Sequence, residues 1–188
     1  MSSISSQTLG EQPASSELNK ECRTKPWFAV LTRAKAERWV STALRGKGLE
    51  EFLPLYRSRH VWSDRTKELD LPLFPGYIFC RLEARADHNL VLKTPGVLSI
   101  VGSGRTPTPV EDREMESIRA LLNSGCAATP HPFLKSGDRV YLDGGPLAGV
   151  EGFVVNADKK FRLVVSITLL QRSVSVEIDR KLVRPVTN

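Results

Sequence analysis

The groups that could make or break bonds in this chain are few and scattered. His60, His88 and His131 lie in separate segments, with no Ser or Cys nucleophile in a recognisable elbow beside them. Cys22, Cys80 and Cys126 are odd in number and far apart, and no histidine stands at ligand spacing from them. They build neither a disulfide framework nor a zinc site, and they suit a reducing cytoplasm. Gly137-Asp, Gly144-Gly and Gly149-Val-Glu-Gly152 lack a following Gly-Lys-Ser/Thr and join strand to strand, which excludes a P-loop. Glu111-Asp112 pairs two carboxylates, but acids at a helix start complement the macrodipole. Catalysis is rejected, and no cofactor or metal is expected.

The chemistry on offer is binding. Pro72-Leu-Phe-Pro-Gly-Tyr-Ile-Phe79 packs large apolar side chains, two prolines and a glycine into eight residues. Gly76 to Cys80 reads as a strand, while Pro72 and Pro75 remove ladder donors just before it. The run is a rigid, irregular approach to a strand that delivers rings to a chosen surface. By alternation Tyr77 and Phe79 share one face and Ile78 takes the other, so at least one face is core. Phe74, Tyr77 and Phe79 stand as core residues or as an anchor for a partner.

Charge is the second binding signal. The net charge is +6 and the pI is near 9.4, which suits an anionic partner. Nine Lys or Arg stand against four Asp or Glu from Arg33 to Lys67, whereas residues 68–133 carry six against eight. The excess therefore sits in one short region, which a solvated helix face and a charged hairpin would also explain. The aromatic residues and this basic region are mostly segregated.

The elements that must position these residues follow from periodicity. Trp27-Phe-Ala-Val-Leu31 is a short buried strand, and Ala34 to Lys47 is a helix with Ala36, Trp39, Val40, Ala43 and Leu44 on one face. Arg33, Lys35, Arg38 and Arg45 take its polar side or approach, and Gly46-Lys-Gly48 ends it. Glu51 to Tyr56 resumes as a strand. Arg57 to Asp70 is a charged excursion, a hairpin with Ser63-Asp-Arg65 at its tip. Arg85 to Lys93 is a short helix, Val97 to Val101 a strand, and Pro109-Val-Glu-Asp leads into a helix to Leu122 striped by Met115, Ile118, Leu121 and Leu122. This order implies an α+β unit, a mixed or antiparallel sheet covered by helices on one side.

Residues 1–26, rich in Ser, Glu and Gln, read as a disordered tail without the features of a secretory signal. No stretch is apolar and long enough to span a membrane. Residues 123–132 read as a linker. Beyond them, closely spaced strand signals at Val140, Gly152, Leu163 and Ser173, with a turn at Asp143-Gly-Gly-Pro146, predict a five-stranded SH3-like barrel over 133–188.

Trp27-Phe-Ala-Val, Pro72-Leu-Phe-Pro-Gly-Tyr and Thr94-Pro-Gly-Val97 fall in the order and spacing of one known family. Gly137-Asp-Arg-Val140 and Gly145-Pro-Leu-Ala-Gly-Val-Glu-Gly152 then look like a KOW motif. From Trp27 to Pro185 the chain resembles the NusG family of transcription elongation factors. Pro54-Leu55-Tyr56, Trp62-Ser-Asp-Arg65 and Pro72-Leu-Phe-Pro75 look most like its specialised paralogues of the RfaH and UpxY kind.

The resemblance implies an NGN domain over 27–122 and a KOW barrel after it, in a cytoplasmic, non-enzymatic transcription factor that promotes processive elongation and antitermination. Phe74, Pro75, Tyr77 and Phe79 would grip the clamp helices of RNA polymerase. Arg33, Lys35 and Arg38 would face upstream or non-template DNA. A contact to the opposite polymerase pincer falls where this chain has Asp87-His88-Asn89, a departure from RfaH. Thr168 matches a loop phenylalanine of NusG that contacts a ribosomal protein. Thr168, Leu169 and Leu170 are thus the expected partner-binding tip, with the ribosome favoured over Rho. A KOW-containing ribosomal or RNA-binding protein is the competing reading, and co-purification with ribosomes rather than polymerase would favour it.

Overall fold

The computed structural model describes residues 25–61, 66–83, 85–104, 106–133, 137–157 and 160–186. The tail reading, Cys22, Trp62 and the Ser63-Asp-Arg65 tip lie outside them, apart from Lys25 and Pro26 of the tail. In chain order the first unit comprises β1 (Trp27–Thr32), α1 (Glu37–Gly46), β2 (Glu51–Phe52), β3 (Leu55–Val61), β4 (Thr66–Pro72), β5 (Tyr77–Arg81), α2 (Arg85–Leu92), β6 (Val97–Ile100), β7 (Gly102–Ser103), β8 (Thr106–Pro107), β9 (Pro109–Val110) and α3 (Asp112–Asn123). The second comprises β10 (Thr129–His131), β11 (Asp138–Leu142), β12 (Glu151–Ala157), β13 (Lys160–Ile167), β14 (Arg172–Glu177) and β15 (Val183–Pro185).

Strand β1 is central to the first sheet, whose order is β2-β5-β1-β6, with β9 also on β1. Every pairing in it is antiparallel. The register sets Phe28 opposite Cys80 and Val30 opposite Ile78, and alternation sends these side chains to one face. There they meet Val40 and Leu44 of α1, Leu82, and Val91 of α2. Trp27, Ala29 and Phe79 take the other face, where Met115, Ile118 and Leu121 of α3 are buried. Helices therefore cover both faces rather than one as expected. The one-sided reading failed because β1 is apolar at consecutive positions, a pattern that requires cover on both sides.

Two guanidinium groups clasp the Trp27 ring. Arg81 Cζ lies 4.8 Å and Arg119 Cζ 4.6 Å from its centroid. Glu50 pairs with both arginines, at 3.5 and 3.4 Å, which fixes α3 to the sheet. Strands β3 and β4 form a separate two-stranded hairpin, so that expectation holds, although Leu53 and Pro54 interrupt the strand read over 51–56.

The second unit is a six-stranded antiparallel sheet, β10-β14-β13-β12-β11-β15. Five of the strands make the expected barrel. The sixth, β10, comes from residues read as linker: Thr129, Pro130 and His131 pair with Ser175, Val174 and Ser173. A three-residue edge strand containing proline carries too little pattern to be seen in sequence. The cluster that holds Trp27 and Phe79 continues through α3 into Leu147, Leu163, Val165, Val174 and Val176 of the barrel.

Candidate functional site

The Pro72–Phe79 run is a clamped turn. Pro72 ends β4, paired with Leu55, and Leu73 and Phe74 turn inward. Gly76 adopts φ +84°, a conformation costly for any residue with a Cβ. Its N–H donates to Glu37 Oε1 at 2.8 Å, and its carbonyl accepts from the Thr32 N–H at 2.8 Å and the Thr32 hydroxyl at 3.3 Å. Helix α1 and strand β1 thus hold the turn from both sides. The buried Glu37, which sequence reasoning assigned no role, supplies the acceptor. A charged residue one turn from a basic cluster gives no sign in sequence that it will be buried.

The rings themselves separate. Phe74 is 1% exposed and Phe79 fully buried, and they meet edge to face at 5.7 Å. Both belong to the core, which corrects their reading as an anchor open to a partner. Tyr77 is half-buried and Pro75 exposed, so these two present the run to solvent.

Lys35, Arg38 and Pro75 line one groove of about 600 Å³ with Tyr56, Asp70 and Pro72. Residues predicted for two different contacts are therefore neighbours. Lys35 has φ +63°, and the helix starts at Glu37 rather than Ala34. Arg38 donates to the Asp70 carbonyl at 2.8 Å, with Asp70 Oδ2 at 3.9 Å, so part of its charge is offset. Arg33 is exposed but does not line this groove; its N–H donates to the Gly96 carbonyl at 2.8 Å. Trp39 does not join the buried stripe: it is 55% exposed.

In the barrel, Thr168, Leu169 and Leu170 form a single 3₁₀ turn closed by Gln171 at φ +51°. Thr168 is exposed and Leu169 half-buried, whereas Leu170 is 7% exposed and packs inward, a correction to its place in an apolar tip. The Thr168 N–H donates to Glu114 Oε1 of α3 at 3.0 Å. The tip thus rests on the first unit, beside a cleft lined by Glu111, Arg139, Glu151 and Ser166.

A family model described as "Transcription termination factor nusG" matches residues 25–119. The transcription termination/antitermination protein NusG of Escherichia coli (strain K12) is 27% identical over 172 residues, covering 85% of this chain and 95% of that protein. The protein of the same name from Borreliella burgdorferi is 24% identical over 177 residues, covering 83% and 96%. Among solved structures, one described as "Domain interaction in Thermotoga maritima NusG" aligns with a TM-score of 0.54 and 25% identity, covering 87% of this chain and 98% of that one.

Proposed function

The chain belongs to the NusG family of transcription termination/antitermination factors, and on that premise we propose that it binds RNA polymerase at the clamp and favours processive elongation. The observation that carries this reading is the clamped turn at Gly76. It holds Pro75 and Tyr77 at the surface on a backbone fixed by three hydrogen-bonding groups of α1 and β1 before any partner arrives. A preset surface spares the ordering cost of association, and a tyrosine beside a proline buries large area with few rotors to freeze. Phe74 and Phe79 serve beneath it as packing. Binding that prefers the closed clamp over a paused, opened one would raise processivity without any chemistry by this chain.

The other two contacts belong to the same proposal. Arg33, Lys35 and Arg38 meet phosphates of upstream or non-template DNA, adding affinity and salt dependence without reading sequence. Thr168 and Leu169 of the barrel tip recruit a further partner, the ribosome in preference to Rho. A threonine where NusG has a ring fits a specialised paralogue better than a housekeeping factor. No helix among the described residues is long and apolar enough to cross a membrane.

The test is capture of polymerase by the full chain and by Pro75→Asp/Tyr77→Ala. Loss of a contact anchor costs about 2 kcal/mol, so binding should fall roughly 30-fold while the chain stays folded. Undiminished capture by the folded variant, or enrichment of ribosomes without polymerase by the parent chain, would refute the clamp reading.

A further inference from the structure

Glu37 puts a carboxylate where carboxylates are rarely found. It opens α1, is 5% exposed, and among the described residues enters no ion pair. Burying such a group is costly unless a donor meets it, and the donor here is the Gly76 N–H, far along the chain. An acid in the first turn ordinarily complements the N-terminus of its own helix. That end of α1 goes without a side-chain cap at Ala36, and Lys35 takes φ +63° to lead the chain into it. A helix start that lacks its cap and carries a strained residue signals a constraint set elsewhere. The constraint is at Gly76. Packing does not hold that residue: within 4 Å a Cβ there would meet, among the described residues, just Leu31 Cδ1. Beside it lies the groove of about 600 Å³, into which the turn has room to sink, with Glu37 and Thr32 in its wall. The Thr32 N–H bond to the Gly76 carbonyl merely continues the β1–β5 ladder past its last registered pair, Leu31 and Tyr77. The Glu37 bond is the one that ties the turn to α1.

We propose that Glu37 is a positioning residue of the polymerase contact: by accepting the Gly76 N–H, its carboxylate keeps Pro75 and Tyr77 raised above the groove. This rests on the clamp reading above and assigns, within it, the group that presets the surface. Glu37 itself is too buried to touch the partner. It acts as an acceptor at a fixed reach, and its charge is not the essential part, because no cation answers it. Without that acceptor the turn samples positions over the groove. Apparent affinity then falls in proportion to the fraction of molecules that still present the turn.

The experiment compares Glu37→Gln, Glu37→Met and Glu37→Asp with the parent, all in the full chain, beside Pro75→Asp/Tyr77→Ala. Each is measured for thermal midpoint, for hydrogen exchange of the Gly76 amide by NMR, and for affinity to RNA polymerase. Gln keeps an oxygen at the same reach, and should retain both the protected amide and the parent's affinity. Met fills the same space without an oxygen, and Asp withdraws the oxygen by one methylene. Both should speed Gly76 exchange and weaken polymerase binding about tenfold, as a turn presented by about one molecule in ten requires. Asp retains a polar group at the site, so it carries the test if Met does not fold. Faster Gly76 exchange with parental affinity in Met or Asp refutes positioning. So does weakened binding with the amide still protected, or a Gln variant that fails as Met does. Weak binding by Pro75→Asp/Tyr77→Ala with parental binding by Met and Asp leaves the clamp reading standing and overturns the role of Glu37. Parental binding by Pro75→Asp/Tyr77→Ala overturns the clamp reading itself, and the polymerase role of Glu37 falls with it.

Discussion

Cys80 illustrates how far a single residue's chemistry depends on its place. It lies on β5, paired between Phe28 and Glu51, and is fully buried. Burial first, and then the nearby charges of Glu51, Asp87 and Glu50, push its thiol from the ordinary 9.0 up to about 12. The folded chain therefore holds this proton where the unfolded chain releases it. The stabilisation is complete below pH 9.0 and is lost as pH rises towards about 12. Cys80 should resist alkylation at pH 8 in the native state and react on unfolding. Cys80→Ser should flatten the alkaline fall in stability seen in urea titrations at stepped pH. Rapid native labelling of Cys80 would show the site to be open. The same burial governs Phe79, whose replacement by Ala should cost about 3–5 kcal/mol in denaturant unfolding, a core penalty rather than a contact penalty. Alternation placed Tyr77 and Phe79 together correctly; it could not tell that α3 would cover the Phe79 end of that face and leave the Tyr77 end open.

At the level of elements, α1 shows which parts of a fold a sequence can express. Val40 and Leu44 are buried as the period requires, because 3.6-residue spacing returns them to one side. Trp39 matched the stripe by spacing as well as by residue type, yet it is 55% exposed. The helix presents it one step off the buried line, above Gly96. The start of α1 was misread for a different reason. Lys35 takes a left-handed conformation that residues with a Cβ adopt at a cost, so composition pointed to helix where the chain turns. Gly96 is the matching constraint on the other side. It has φ +89°, and a Cβ there would lie 3.0 Å from Val40 Cγ2. Gly96→Ala should therefore destabilise by about 1–2 kcal/mol from backbone strain alone, with any displacement of Val40 added. Thermal unfolding of that variant measures it, and a midpoint equal to the parent's would mean that the loop relaxes freely. Strand β10 was illegible because its partner, β14, is more than forty residues away, and nothing local marks three residues as paired.

At the scale of the molecule the consequential feature is the seat of the barrel on α3. The apolar cluster passes from the sheet through Met115, Ile118 and Leu121 into the barrel, and the Thr168 N–H is held by Glu114. A bond from an amide to a carboxylate contributes about 1.5–3 kcal/mol when shielded and less at an exposed site such as this one. Such a contact is strong enough to bias the arrangement and weak enough for a partner to displace. The tip predicted to recruit a partner is thus engaged within the chain, so a partner for Thr168 and Leu169 competes with Glu114. Glu114→Lys removes the acceptor and places a cation at the amide donor, and should release the barrel while leaving each unit folded. Backbone relaxation by nitrogen-15 NMR distinguishes the two states. The parent should show one rotational correlation time for both units, and the variant two shorter ones. A single shared correlation time in Glu114→Lys would mean that the apolar cluster holds the units together without this bond. Two times in the parent would mean that the tip is already free for its partner.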